Sequence, residues 1–267
     1  MIKRSLSLII AMFFSLCLIV SCFGDISGTV STSGSSSMES VVASLIEAFT
    51  AKNPDVMITY DATGSGAGIT AVSERVSDIG LSSRKLRDSE TNLNAVVLAL
   101  DGIAVIVNNA NTVEDLTVEQ IAGLFTGEIT NWNEVGGADM PVALIGREGG
   151  SGTRDGFETI VGVVERCVYD QELTSTGAVI AAVSANRYAI GYASLSSLSS
   201  ETKTLTVEGI ACAEETILDG TYAIQRPFIM VTRSGAELSD AASAFIEYAL
   251  SPAAAEIILN AGAIQPK

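Results

Sequence analysis

The stretch Ile145–Phe157 reads Ile-Gly-Arg-Glu-Gly-Gly-Ser-Gly-Thr-Arg-Asp-Gly-Phe, gathering two arginines, two hydroxyl residues and several glycines. An apolar run, Val142 to Ile145, precedes it, and Phe157, Ile160, Val161 and Val164 follow at helical spacing. It is therefore a turn between a strand and a helix. Gly149, Gly150 and Gly152 let the backbone approach a ligand closely and adopt positive φ. Ser151 and Thr153 place hydroxyls and N–H groups at the helix start, where open amides and the helix dipole suit a small anion. Arg147 and Arg154 add charge and a planar fork of donors fitted to an oxyanion. The Gly-Ser-Gly-Thr segment alone is explained equally well as a helix cap. Two arginines around it favour an anion cradle.

Other chemistries lack their residues. The chain has no histidine, which removes Ser-His-Asp and Cys-His catalysis and histidine-ligated metal sites. Gly149–Thr153 fails the G-x-S-x-G nucleophile elbow at its last position. No G-x-x-x-x-G-K-[ST] loop for nucleotide phosphates is present. A transferase using Ser151 would have no histidine base to activate the hydroxyl. No catalytic residue, metal or cofactor is expected.

The elements that must position this turn are legible around it. Thr29–Ser33 reads as a strand, Gly34–Ser37 as a turn, and Val41, Val42, Leu45, Ile46 and Phe49 as the apolar face of a helix ended by Asn53-Pro54. Val56–Tyr60 is a second strand, followed by Thr63-Gly64-Ser65-Gly66-Ala67-Gly68 and a helix over Ile69–Val76. Asp78–Leu81 is a short strand ending in Ser82-Ser83-Arg84. Four polar turns thus fall at strand C-termini: Ser35–Ser37, Gly64–Gly66, Ser82–Arg84 and Arg147–Thr153. In open α/β sheets ligands bind in the crevice outside those ends. Val96–Val107 is a long apolar run containing Asp101-Gly102, read as a strand that bends from one domain into a second. Helices are expected at Val118–Phe125, Ala178–Val183, Ala241–Leu250 and Ala253–Leu259, with a strand at Ala189–Ala193. Pro227–Val231 is a strand that returns to the first domain. The lone tryptophan, Trp132, lies in a loop over 127–133 and is expected to be a packing anchor. Two crossings between two domains imply a cleft that closes by hinge motion.

At the whole-chain level, 267 residues with 48% apolar content suffice for two folded domains. Lys3 and Arg4 precede an apolar stretch, Leu6–Val20, short for a membrane span and suited to a secretory leader. It ends Leu18-Ile19-Val20-Ser21-Cys22, the pattern of a bacterial lipoprotein cleavage site, so Cys22 is expected to carry the lipid. Residues 1–21 are then the signal peptide and 22–28 a tether. Losing Lys3 and Arg4 from 15 basic residues leaves 13 against 31 acidic, a mature charge of −18. Nucleic acid is excluded as a partner, because no basic patch is available to neutralise phosphates. Cys167 and Cys212 remain as a disulfide or as two buried thiols.

These motifs resemble the PstS-like phosphate-binding proteins of phosphate ABC transporters. The resemblance covers nearly all of residues 29–267. It is carried by G-S-S-S-M at Gly34–Met38, T-G-S-G-A-G-I at Thr63–Ile69 and D-I-G-L-S-S-R-K-L at Asp78–Leu86. F-T-G-E-I-T-N-W at Phe125–Trp132, G-R-E-G-G-S-G-T-R at Gly146–Arg154 and A-I-G-Y at Ala189–Tyr192 complete it. It implies a type II periplasmic-binding fold: two α/β domains, 29–104 with 227–267 and 105–226, around a ligand cleft. It implies no catalysis. Carried over by motif, inorganic phosphate is held by Ser36, Ser37, Ser65, Ser83, Arg147, Ser151, Gly152 and Thr153, with Arg84 and Arg154 as additional candidates. Expected partners are the membrane permease and, through Cys22, the outer face of the membrane; a monomer is expected. Sulfate and molybdate binders, and sensors or adhesins on this fold, are the alternatives. Known members carry an aspartate where this chain has Ser83, and another at Gly149. Sulfate is therefore expected to be rejected less strictly unless Glu39, Asp61, Glu148 or Asp155 reaches the cleft.

Overall fold

The computed structural model describes residues 26–266. The leader 1–21, the lipidation candidate Cys22 and the first part of the tether lie outside the described residues.

The chain opens with β1 (Gly28–Gly34), a single 3₁₀ turn at Ser36–Met38 and α1 (Glu39–Thr50). Val41, Val42, Leu45 and Phe49 are buried on one face of α1, as their spacing requires. Asn53 Nδ2 closes the helix end by donating to the Phe49 carbonyl at 2.9 Å, and Pro54 follows. Next come β2 (Val56–Asp61), α2 (Ser65–Ser73), β3 (Ile79–Ser82) and β4 (Leu93–Asn108). The second half adds β5 (Asp115–Leu116), α3 (Val118–Phe125), β6 (Ala143–Arg147), α4 (Gly152–Val161), β7 (Gln171–Leu173), α5 (Thr176–Ala185) and β8 (Ala189–Ser194). The chain ends with β9 (Thr202–Thr204), β10 (Thr206–Val207), α6 (Glu214–Leu218), β11 (Gln225–Arg233), α7 (Asp240–Leu250) and α8 (Ala255–Asn260).

The strands join in the order β2-β1-β3-β11-β4-β8-β6-β7, with β9 also on β4 and β10 paired separately to β5. The 16-residue β4 belongs to both halves of this sheet. Its first part pairs antiparallel with β11 from Leu93 to Gly102, and its second pairs with β8 from Ile103 to Val107. A register shift opposite Phe228/Ile229 leaves Leu98 unpaired in that ladder, the device by which a long strand twists. The apolar core divides where the pairing changes. One cluster unites Val30, Met38, Leu45, Leu81, Phe228 and Phe245. The other unites Ile103–Val107, Phe125, Trp132, Phe157, Tyr192 and Tyr222. Two α/β lobes are therefore linked by β4 and β11.

Trp132 is fully buried in the second cluster and its Nε1 donates to the Tyr188 carbonyl at 3.0 Å, the anchoring role its sequence context suggests. In the first lobe α2 rests directly on β1. A Cβ at Gly68 would lie 2.5 Å from Gly34 Cα, so the second turn reaches the first only because residue 68 is glycine.

Cys167 and Cys212 are free thiols, so the disulfide does not form. Cys212 Sγ packs at Gly102 of β4, while Cys167 Sγ faces the Val163 carbonyl after α4. Burial pushes the Cys167 thiol up to about 11 and the Cys212 thiol up to about 12. Both are inert as nucleophiles near neutral pH.

Candidate anion-binding cleft

The polar turns at the C-terminal ends of β1, β2, β3 and β6 meet between the lobes. Ser36, Ser37, Ser65, Ser83, Arg147, Ser151, Gly152 and Thr153 are all buried there. Ser35 Oγ donates to Ser83 Oγ at 2.8 Å, and Ser83 N–H donates to Ser65 Oγ at 3.0 Å. Across the cleft, Ser37 Oγ lies 2.7 Å from Thr153 Oγ1. The Gly66 N–H of α2 donates to the Gly150 carbonyl at 3.0 Å. Hydroxyls from both lobes thus converge in a space closed to bulk water, where each donor is worth more than it would be in solution.

The start of α4 is organised by Ser151, whose Oγ accepts from Thr153 N–H at 3.2 Å and Arg154 N–H at 3.3 Å. Its own N–H donates to the Glu148 carbonyl at 3.1 Å. Helix geometry leaves four amides open at this end, and those three are taken. The fourth belongs to Gly152. That residue lies against the other lobe: a Cβ built on it would meet Ser65 Oγ at 2.3 Å and Ser83 Oγ at 2.8 Å. The expected anion cradle is thus built as a helix cap. Ser151 caps with its lone pairs, which leaves its hydroxyl hydrogen free of the cap.

Arg147 is 2% exposed. Its Nε donates to Glu148 Oε2 and the Leu173 carbonyl, each at 3.1 Å, and Nη2 donates to Glu148 Oε1 at 2.9 Å and the Thr174 carbonyl at 3.2 Å. The fork expected to grip an oxyanion is therefore turned to Glu148, and only Nη1 remains for a ligand. Nη1 donates to Thr176 Oγ1 at 3.1 Å. Thr176 opens α5, and its hydroxyl is 2.8 Å from Ser37 Oγ. The sequence reading omits it, although Ser175-Thr176-Gly177 after β7 has the same hydroxyl-and-glycine character as the other turns.

Arg84 and Arg154 stand apart from the hydroxyl cluster. Arg84 binds both Glu90 oxygens and reaches Asp155 on the other lobe at 2.9 Å, forming a cross-cleft ion pair that Arg87 joins. Arg154 pairs with Glu158 at 2.7 Å and Glu172 at 3.1 Å, stacks over Tyr169, and donates to the Arg147 carbonyl at 2.9 Å. One latches the lobes and the other props the backbone of Arg147. Ser83 contacts only hydroxyls of Ser35 and Ser65 through its side chain. Of the four carboxylates considered, Glu148 is bound to Arg147, Asp155 is bound to Arg84 and Arg87, and Asp61 is exposed. Glu39, at the start of α1, is also exposed and helps burial hold the Tyr60 phenol above its ordinary value.

Under the cleft, at the crossing strands, Asp101 accepts from Arg226 Nε at 3.0 Å and Nη2 at 2.9 Å, and from Ser194 Oγ at 2.6 Å. Ser194 and Ser196 hydroxyls are 2.8 Å apart, and Ser196 Oγ donates to the Ser37 carbonyl at 2.9 Å. A polar chain therefore runs from the strands joining the lobes to the first turn.

The chain is similar in sequence and fold to known binding proteins. The PBP superfamily domain matches residues 24–253. The phosphate-binding protein PstS of Bacillus subtilis (strain 168) is 33% identical over 211 residues, covering 74% of this chain and 68% of that protein. The chain belongs to the PstS family. Among solved structures, a candidate phosphate ABC transporter substrate-binding protein from Clostridium perfringens, with bound phosphate, shares 39% identity. It superposes with a TM-score of 0.87 over 90% of this chain and 100% of that one. An ABC-type phosphate transport receptor from Vibrio cholerae shares 34%, with a TM-score of 0.73 over 89% of this chain and 100% of that one. The two lobes linked by β4 and β11 are thus the type II periplasmic-binding fold, and a PstS-family chain is a binder, not an enzyme.

Proposed function

We propose that this protein captures inorganic phosphate in the cleft and delivers it to the membrane permease of an ABC transporter. The observation that carries the reading is Arg147. It is a buried guanidinium with one edge left for a ligand, beside the α4 amide of Gly152 and hydroxyls from both lobes. That set donates many hydrogen bonds to a small tetrahedral anion and presents no free carboxylate to repel it. The phosphate in the Clostridium perfringens relative supports the same ligand class. Ser36, Ser37, Ser65, Ser83, Arg147, Ser151, Gly152 and Thr153 are the proposed binding residues. Residues 29–104 with 227–267 are the proposed first lobe and 105–226 the second; the two separate cores support two lobes, although Ile103, Ala104 and Ile264 pack in the second core.

Calorimetric titration of the purified protein with phosphate, sulfate and molybdate tests the ligand. We expect one phosphate site, and Arg147→Ala to weaken it by about 2–5 kcal/mol, the usual cost of truncating one member of a buried charge pair. Phosphate heats that are absent in wild type, or unchanged in Arg147→Ala, would overturn the assignment. Transport also requires export, and we infer a lipid tether on Cys22, because acyl chains are the anchor left after leader cleavage. Cys22→Ser should release the protein from membranes or block its processing; a variant processed and fractionating as wild type removes the tether. We infer a monomer, which sizing chromatography reads directly.

A further inference from the structure

Thr176 is not among the residues that sequence motifs place in the cleft, yet it touches both of its walls. It is 1% exposed and stands at the first position of α5. Its N–H donates to Ser36 Oγ of the opposite lobe at 3.2 Å. Its hydroxyl lies 2.8 Å from Ser37 Oγ and accepts from Arg147 Nη1 at 3.1 Å. We propose that Thr176 is a direct ligand of the bound anion, donating its hydroxyl hydrogen to an oxyanion oxygen. The proposal rests on the phosphate reading of the cleft and deepens it.

Two facts of hydrogen-bond chemistry carry the assignment. An arginine has five N–H donors and no acceptor, so in its contact with Arg147 the threonine oxygen must accept. A hydroxyl has a single hydrogen, which cannot point at the guanidinium and so is left to donate elsewhere, with Ser37 Oγ 2.8 Å away. Arg147 thereby fixes Thr176 as a donor and polarises it, as a charge-assisted bond does to the next bond in a chain. The other edge of Arg147 is held by Glu148, Leu173 and Thr174. Nη1 and Thr176 are therefore the two neighbouring donors that the β6–β7 side offers. With Thr153 Oγ1 on the same serine, at 2.7 Å from Ser37 Oγ, the starts of α4 and α5 face the first turn from two directions. An anion among these hydroxyls takes the hydrogen bonds they make to one another.

The test uses the whole protein, inorganic phosphate, and Thr176→Val, Thr176→Ser and Thr176→Ala. Valine keeps the shape and removes the donor; serine keeps the donor. We expect calorimetric affinity for phosphate to fall ten- to a hundredfold in Thr176→Val and to stay within about threefold of wild type in Thr176→Ser. The thermal midpoint without phosphate should fall modestly in Thr176→Val, because the buried Arg147 Nη1 loses its acceptor, and its rise on adding phosphate should shrink. Should valine fail to fold, Thr176→Ala supplies the same comparison with serine. Wild-type affinity in Thr176→Val overturns the proposal. So does a lowered midpoint with an undiminished phosphate-dependent rise, since Thr176 would then only hold the lobes together. Failure of wild type itself to bind phosphate overturns the phosphate reading instead.

Discussion

A hydroxyl donates or accepts, whereas a carboxylate only accepts, and Ser83 is where that difference decides selectivity. Its Oγ is fully buried, takes a hydrogen bond from Ser35 and lies beside Ser65. Phosphate keeps at least one proton at neutral pH and sulfate keeps none. An acceptor-only group in this position would welcome phosphate and repel sulfate. No carboxylate supplies that repulsion at Ser83, and Glu148 is spent on Arg147. We therefore expect appreciable sulfate binding in wild type. Ser83→Asp should weaken sulfate at least tenfold while leaving phosphate within a few-fold, read by competition calorimetry. Strict rejection of sulfate by wild type, unchanged in the variant, would assign selectivity to another group. Arg84 and Arg154, the additional candidates for the anion, are both engaged in ion pairs. The serine turns were legible because a hydroxyl at a strand end is a local signal. That Arg84 and Arg154 are spent on ion pairs was not, because that depends on which acids fold against them.

At the scale of elements, strand-to-helix turns did most of the positioning, and glycine sets how closely they approach. The first turn of α4 touches α2 and the turn after β3 of the other lobe only because residue 152 has no side chain. Gly152→Ala should fold, since Ala suits a helix better than Gly by roughly 1 kcal/mol. Its methyl, however, would fall on Ser65 and Ser83, so the lobes could not close to this distance. We expect near-wild-type thermal stability and at least a hundredfold loss of phosphate affinity; retained affinity would mean that the binding geometry is more open. The crossing strands behave differently. Asp101 is fully buried; burial raises it and lowers Arg226, while each charge opposes the other's shift. That pair ties the crossing strands β4 and β11 to each other. Long elements such as α1, β4 and α7 were readable from apolar periodicity. The two-residue strands β5 and β10 and the five-residue α6 were not, because they are too short to carry a period and exist through partners distant in sequence.

The whole molecule carries a net charge of −16, yet its proposed ligand is an anion. Such a charge, centred in a body of roughly 24 Å radius, opposes each ligand charge at the surface by about 2.8 kcal/mol in unscreened water. Salt screens this repulsion over about 30 Å at 0.01 M and about 8 Å at physiological ionic strength. The proposed attractive terms act at hydrogen-bond distance inside a buried site, where screening is weak: Nη1 of Arg147, the Gly152 amide, and the hydroxyls of Ser37, Thr153 and Thr176. The two contributions therefore respond to salt in opposite degree. Raising ionic strength removes the long-range penalty and leaves the short-range grip. Phosphate affinity should rise several-fold, and by no more than about tenfold, between roughly 0.01 M and 0.15 M salt, with the gain in the association rate. A surface basic patch guiding the anion would give the reverse, a loss of affinity with salt. Calorimetric titration at these two ionic strengths, with a large, weakly competing anion as the counter-ion, measures the sign. A fall would mean that local positive potential at the mouth of the cleft outweighs the net charge of the molecule.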